Sequence, residues 1–301
     1  MRLLNTKTLE LSYFVDSQVP PYAILSHTWG QEEVLFDDIQ KRTGGAKSGF
    51  KKLEGCCKKA AGDGFEWVWI DTCCIDKSSS AELTEAINSM YQWYKASVLC
   101  YVYLEDILTT KNAPLGQFAG SRWFTRGWTL QELIAPRILE FYTAGWVEIG
   151  TKASLSRQIS EVTGVPTPIL RGEDPSTCVV AHRMSWASKR QTTRVEDIAY
   201  CLLGIFGVSM PMLYGEGVKA FQRLQEEIMK QNEDYTLFAW SLHYDCSPAL
   251  TDPNPGGALA KLWGRQHSKN HRASRSHGRK SRTVFALSDC IPERLRWVGL
   301  C

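Results

Sequence analysis

No run of about 18 apolar residues occurs in this 301-residue chain, so no segment is long enough to cross a bilayer as a helix. The longest apolar stretch, residues 97–104, is the size of a strand. The opening Met1-Arg-Leu-Leu-Asn-Thr-Lys7 lacks the apolar core of a secretory signal, and a cytoplasmic location is expected. Ten cysteines are present but no Cys-x-x-Cys spacing, and Cys56-Cys57 and Cys73-Cys74 are adjacent pairs. That pattern argues against zinc, so no bound metal is expected, and the thiols read as free and buried in a reducing compartment. Acidic residues are missing from residues 253–288, where eight Lys and Arg fall. Without those eight, the formal net charge of +3 gives way to 27 basic against 32 acidic residues. A mildly acidic body with a basic tail does not read as a specific nucleic-acid binder, whose charge sits on a folded face between aromatics. A phosphate loop is absent too: Thr43-Gly-Gly-Ala-Lys-Ser48 has Ala46 and Lys41 where the pattern needs glycine, and it follows no strand directly.

What is present is an alternation of strand and helix signals over the first 150 residues. Tyr22–His27 is a buried-strand run, and residues 66–71, 98–104 and 138–142 read the same way. Between them, residues 47–61 are helix-like and closed by Gly62 and Gly64. Ser79-Ser-Ala-Glu82 is a capping box opening a helix with Leu83, Ile87, Met90 and Tyr94 on one stripe. Residues 122–135 read as one helix ended by Pro136, which lacks a backbone N–H. The order predicts a parallel sheet with helices on both faces. Beyond residue 150 the signals turn helical: residues 154–164 between a Ser and a Gly, a second capping box at Thr193-Arg-Val-Glu196, and a stripe at Val218, Phe221, Leu224 and Ile228. Residues 251–284 hold Pro, Gly, Ser, His and basic residues with little to bury, and read as disordered. The expected organisation is an α/β domain over 1–150, a helical domain over 151–240 and a low-complexity basic tail over 241–301.

Three segments carry polar and aromatic residues where ligands of open α/β sheets bind, beyond the carboxyl ends of the strands. Ser26, His27 and Trp29 follow the first strand, and Asp71, Cys73, Cys74 and Asp76 follow the second. In the third, at 3.6 residues per turn, Thr129, Leu130, Leu133 and Ile134 form the apparent core face, with Trp128, Gln131, Glu132 and Ala135 opposite. Trp128 and Glu132, beside Arg126, suit a cleft in which indole stacks on a flat ligand and carboxylate accepts from ribose hydroxyls. The same spacing also fits a solvated face with Glu132 paired to Arg126 or Arg137. Cys73 or Cys74 with His27 as base would make a nucleophile, whereas buried thiols and a hydrogen-bonded core histidine explain the same residues. Asp71 and Asp76 serve either a ribose or a turn. Residues 183–190 and 204–217 read as packing and turn signals.

Ala23-Ile-Leu-Ser-His-Thr-Trp-Gly30, Trp69-Ile-Asp-Thr-Cys-Cys-Ile-Asp76 and Arg126-Gly-Trp-Thr-Leu-Gln-Glu132 resemble the signature of the fungal heterokaryon-incompatibility (HET) domain. Arg183-Met-Ser-Trp-Ala187, Arg194-Val-Glu-Asp-Ile-Ala-Tyr-Cys-Leu-Leu-Gly-Ile-Phe-Gly-Val208 and Leu213-Tyr-Gly-Glu-Gly217 resemble the region that follows it. The resemblance spans about residues 1–240. It implies a vegetative-incompatibility protein, a TIR/flavodoxin-like sheet, and a cell-death module that self-associates through this domain, with a NOD-like or other incompatibility protein as partner. Some TIR domains cleave NAD with a helix glutamate in a Trp-x-x-x-Glu setting, which Trp128 and Glu132 match. Carried over, Glu132 is the catalytic carboxylate, NAD is a substrate rather than a cofactor, and Ser26, His27, Trp29, Asp71, Asp76, Arg126 and Trp128 border the ligand. Relatives often continue beyond the region of Phe238-Ala-Trp240 into further domains, where this chain turns to basic low-complexity sequence.

Overall fold

Strands appear where buried apolar runs end in turns. In the computed structural model, which describes residues 1–108, 115–231 and 233–238, Tyr22–His27 is β3, Trp67–Trp69 is β4, Leu99–Leu104 is β5 and Leu139–Thr143 is β6. These four pair in parallel, and β3 and β5 are buried along their whole length, as expected of strands covered on both faces. Three short strands unannounced by the sequence extend the sheet. Arg2–Asn5 (β1) and Leu11–Tyr13 (β2) form a hairpin that joins β4 antiparallel. Glu148–Thr151 (β7) pairs antiparallel with β6. The full order is β2-β1-β4-β3-β5-β6-β7. Counted among themselves, the parallel strands run 2-1-3-4, the opening order of a flavodoxin-like sheet, and the order reverses beside β3, between β3 and β5.

Helices Phe36–Lys41 (α1) and Phe50–Gly62 (α2) connect β3 to β4. On α2, Leu53, Cys56, Cys57 and Ala60 are buried, and the Lys59 ammonium lies over the rings of Tyr101 and Tyr142. Ser80–Ala96 (α3) connects β4 to β5 and covers the other face: its Trp93 and Tyr94 meet Trp69 edge-on at 5.5 and 5.8 Å. Trp69 and Ile70 are fully buried, as the strand assignment requires. Half of the first capping box forms. Ser79 Oγ accepts from the Glu82 N–H at 3.3 Å, but the Glu82 carboxylate accepts from the Asp76 N–H and from Arg2 instead of closing on Ser79.

The expected continuous helix over 122–135 is broken. After Leu115–Ala119 (α4), a single turn at Arg122–Thr125 gives way to extended backbone at Arg126, and Thr129–Ile134 (α5) begins afterwards. The cause is a tertiary competitor for the backbone: the Gln191 N–H donates to the Thr125 carbonyl and the Gly127 N–H to the Gln191 carbonyl. Gly127 has no room for a side chain, since an added Cβ would sit 2.5 Å from Thr192 Cγ2. Ser156–Thr163 (α6), Thr167–Leu170 (α7), Val180–Ser185 (α8), Asp197–Tyr200 (α9), Leu203–Phe206 (α10) and Lys219–Gln231 (α11) follow the last strand. The second capping box is not used as one. Thr193 accepts from the Arg126 guanidinium, and the Glu196 carboxylate accepts from the Gly215 and Gly217 N–H groups. On α11 Phe221, Leu224 and Ile228 are buried, while Val218 precedes the helix and is exposed. No helix among the described residues is long and apolar enough to cross a membrane. The expected tail over 241–301 lies outside them.

Candidate functional site

Successive side chains on a strand point to opposite faces, and this divides the adjacent Ser26 and His27. Ser26 faces α5, where its hydroxyl donates to Glu132 Oε2 at 2.5 Å and accepts from the Trp123 indole N–H at 2.8 Å. Glu132 does not lie on an open or solvated face. It is 6% exposed, and every residue of α5 is buried, because the helix packs against β3, α3 and α7. Burial, with the Asp71 charge nearby, pushes the Glu132 carboxyl up to about 8, against hydrogen bonds to Ser26 and Tyr94 and the attraction of Arg190. At neutral pH the group is a protonated acid. Neither Arg126 nor Arg137 pairs with it.

Arg190 joins this centre from the helical region. Its Nη1 donates to the Arg126 carbonyl at 2.8 Å and to Thr129 Oγ1 at 2.9 Å, while burial lowers the guanidinium to about 10. Below the other end of α5, the Lys152 ammonium donates to the carbonyls of Leu133, Ile134 and Pro136.

His27 faces the α2 side. Its Nε2 stands 3.8 Å from Asp71 Oδ1 and 3.9 Å from Glu33 Oε2, just beyond hydrogen-bond reach, and neither ring nitrogen has a partner among the described residues. Burial and the Lys52 and Lys77 charges hold its pKa well below the usual histidine range, so the ring is neutral. The expected hydrogen-bonded core histidine is thus buried but unpaired. Around it, Lys52 forms a buried ion pair with Glu33 at 2.5 Å, and the Gly30 N–H donates to the same carboxylate at 2.6 Å. The Trp29 indole N–H donates to Asp71 Oδ2 at 2.8 Å, and the Lys77 ammonium sits 3.6 Å from the centroid of the Trp29 ring.

The structure therefore joins Ser26 with Glu132, and His27 with Trp29 and Asp71, in two polar centres at the carboxyl edge of β3 and β4. It does not bring the other three residues there. Asp76 shapes a turn by accepting from the Ser78 N–H and hydroxyl. Arg126 reaches Thr193, and the Trp128 indole bonds Asp197, which fastens the start of α5 to the helical region. Cys73 and Cys74 are buried in the turn after β4, and the hydrogen bond with Cys74, together with burial, raises the Cys73 thiol well above its usual range, opposite to what a nucleophile needs. No cluster of metal-ligating side chains occurs among the described residues. Sequence reasoning missed Glu33, Lys52, Lys77, Tyr94, Trp123 and Arg190. Lys77 could have been found, since it directly follows the second motif; the others come from separate segments with no local signal.

A family model described as heterokaryon incompatibility protein (HET) matches residues 22–115, which include Ser26, His27, Trp29, Asp71 and Asp76 but not Glu132. A second model, described as a domain of unknown function (DUF8212), matches residues 219–291 and runs across the boundary drawn at residue 240. The chain is similar to the vegetative incompatibility protein HET-E-1 of Podospora anserina, with 50% identity over 224 residues. The match covers 71% of this chain and 16% of that relative, so the chain spans a small part of the relative's length. No solved structure matches. With the HET match over β3 to β5 and half of all aligned positions shared with an incompatibility protein, this chain belongs to the fungal heterokaryon-incompatibility (HET) family.

Proposed function

We propose that this chain is a cell-death-inducing signalling module of fungal non-self recognition, acting in the cytoplasm through self-association of its TIR-like HET domain. The observation that carries this reading is the 50% identity to a vegetative incompatibility protein. In this reading the Ser26–Glu132 centre is the polar core on which α5 rests. A NOD-like or other incompatibility protein is the partner that brings copies together.

A second reading, an NAD glycohydrolase with Glu132 as its carboxylate, has one observation in its favour. Glu132 meets Ser26 at the carboxyl edge of parallel strands, beside the reversal of strand order where such sheets bind ligands. Against it stand the burial of Glu132 and its carboxyl pushed up to about 8, which leaves it without the charge that would stabilise a cationic transition state.

One experiment separates the two. The chain is fused to an inducible dimerisation module and expressed in a fungal host, beside Glu132→Gln, and viable cells and NAD are followed together. Death on dimerisation in both proteins, with NAD unchanged, supports the signalling reading. Death and NAD loss in the wild type, both absent in a folded Glu132→Gln protein, replace it with the glycohydrolase. Survival of clustered, folded wild type sinks both.

A further inference from the structure

The centre around His27 leaves hydrogen-bond donors unused. Glu33 Oε1 accepts from Lys52 and from the Gly30 N–H, and Asp71 Oδ2 from the Trp29 indole, while Glu33 Oε2 and Asp71 Oδ1 stand 3.9 and 3.8 Å from His27 Nε2 without a hydrogen bond to it. The buried side-chain polar atoms of this edge that have no hydrogen-bond partner are all nitrogens: Nδ1 and Nε2 of His27 and Nζ of Lys77. A neutral imidazole brings one N–H and one acceptor nitrogen and an ammonium three N–H groups, so the unmet groups of this edge are mostly donors, which acceptor oxygen from outside would satisfy. Lys77 makes the case stronger. It follows the turn after β4, its ammonium is withdrawn from water, and it rests on a ring face rather than on a carboxylate. Leaving a buried cation with no hydrogen-bonding partner opposes stability, and such arrangements collect at functional sites. Trp29, whose ring carries the Lys77 ammonium, is 47% exposed, so the centre adjoins the surface on that side.

We propose that Lys77 and His27, with Trp29 as the outer wall, form a binding site for a small oxyanion, a phosphate or carboxylate group, at the carboxyl edge of β3 and β4. The oxyanion accepts from the Lys77 ammonium and from the imidazole N–H. Of the charges that face it, the Glu33 carboxylate is paired with Lys52, and Asp71 accepts from the Trp29 N–H through Oδ2 while its Oδ1 stands 3.8 Å from His27 Nε2. The site lies on the opposite face of β3 from Glu132, and neither reading of function is needed for it.

The test is calorimetric titration of the full chain with inorganic phosphate and, separately, with acetate. Saturable binding of either is expected, and the one that binds more tightly names the group. Lys77→Met keeps the packed stem and removes the ammonium. It should weaken binding about ten- to a hundredfold, the usual loss for a charged hydrogen bond, while the melting temperature stays level or rises. Lys41→Gln, an exposed lysine on α1 paired with Asp37, should bind as wild type. Wild-type affinity in Lys77→Met, or no binding of either anion to the wild type, overturns the proposal. Should Lys77→Met fail to fold, the His27 ring resonances of the wild type decide it: they shift on anion addition if the site is real and stay fixed if it is not.

Discussion

Replacing Glu132 by Gln should stabilise the protein near neutral pH, and the gain should grow with pH. The carboxyl is pushed up to about 8 in the folded chain from an ordinary 4.5. The native state therefore keeps a proton that the unfolded chain gives up, and unfolding is increasingly favoured as pH rises. The contribution of this group is fully present below about 4.5 and is lost progressively up to about 8, at about 1.4 kcal/mol per pH unit. At pH 7 the accumulated loss is about 3 kcal/mol, a large part of a typical domain's stability. Gln has nearly the same shape, still accepts from Ser26 Oγ, and does not ionise. Urea denaturation of both proteins at about pH 5, 6, 7 and 8 reads the difference. The two should nearly coincide at the lowest pH and diverge steadily above it, with Gln the more stable. Free energies that run parallel across the range, or a less stable Gln variant at pH 7, would refute the claim that Glu132 is buried and protonated.

Trp69→Ala should cost about 3–5 kcal/mol in the same denaturation experiment, since a fully buried indole wedged against Trp93 and Tyr94 leaves a large cavity. Gly204→Ala should cost about 1–3 kcal/mol by overpacking, because its Cβ would fall 2.0 Å from Tyr91 Cβ where α10 meets α3; an unchanged melting temperature would mean the helical region does not rest there. In native protein treated with iodoacetamide, the peptide bearing Cys178 should be labelled before those bearing Cys56, Cys57, Cys73, Cys100 and Cys201, whose thiols are buried and raised by burial. Early labelling of Cys73 would reopen a nucleophilic role for it.

The parallel core was legible because apolar runs covered on both faces have a plain signature. Tyr22–His27 was read to the residue, and β5 and β6 to within one. The edge strands were not, since β1, β2 and β7 are three or four residues long and carry no more than two buried side chains each. Capping boxes were half legible for a related reason. Ser79 caps its own helix, a local event, but Glu82 and Glu196 are captured by partners that only the fold supplies. The misreading of α5 is the clearest case. Its residues alternate between apolar and polar faces as an amphipathic helix does, yet both faces are buried, the polar one against Ser26, Trp123 and Tyr94. Periodicity cannot distinguish a polar face turned to water from one turned to other polar side chains.

The same limit applies to the motif that holds Ser26 and His27. Read as a string, it puts two reactive side chains side by side; as a strand, it sends them to opposite faces of the sheet. A double-mutant cycle makes the distinction measurable. Ser26→Ala removes both the donor to Glu132 and the acceptor of the buried Trp123 N–H, so it should cost about 1–3 kcal/mol through groups left unsatisfied. Much of that cost depends on Glu132, and the Ser26→Ala and Glu132→Ala changes should couple by about 0.5–3 kcal/mol. His27 has no bond to Glu132 and faces Glu33, Asp71 and Lys52 instead. The His27→Gln and Glu132→Ala changes should therefore add to within about 0.3–0.5 kcal/mol. Strong coupling of His27 with Glu132, and none for Ser26, would mean that the two centres form one cleft after all, with α5 seated differently from the arrangement described.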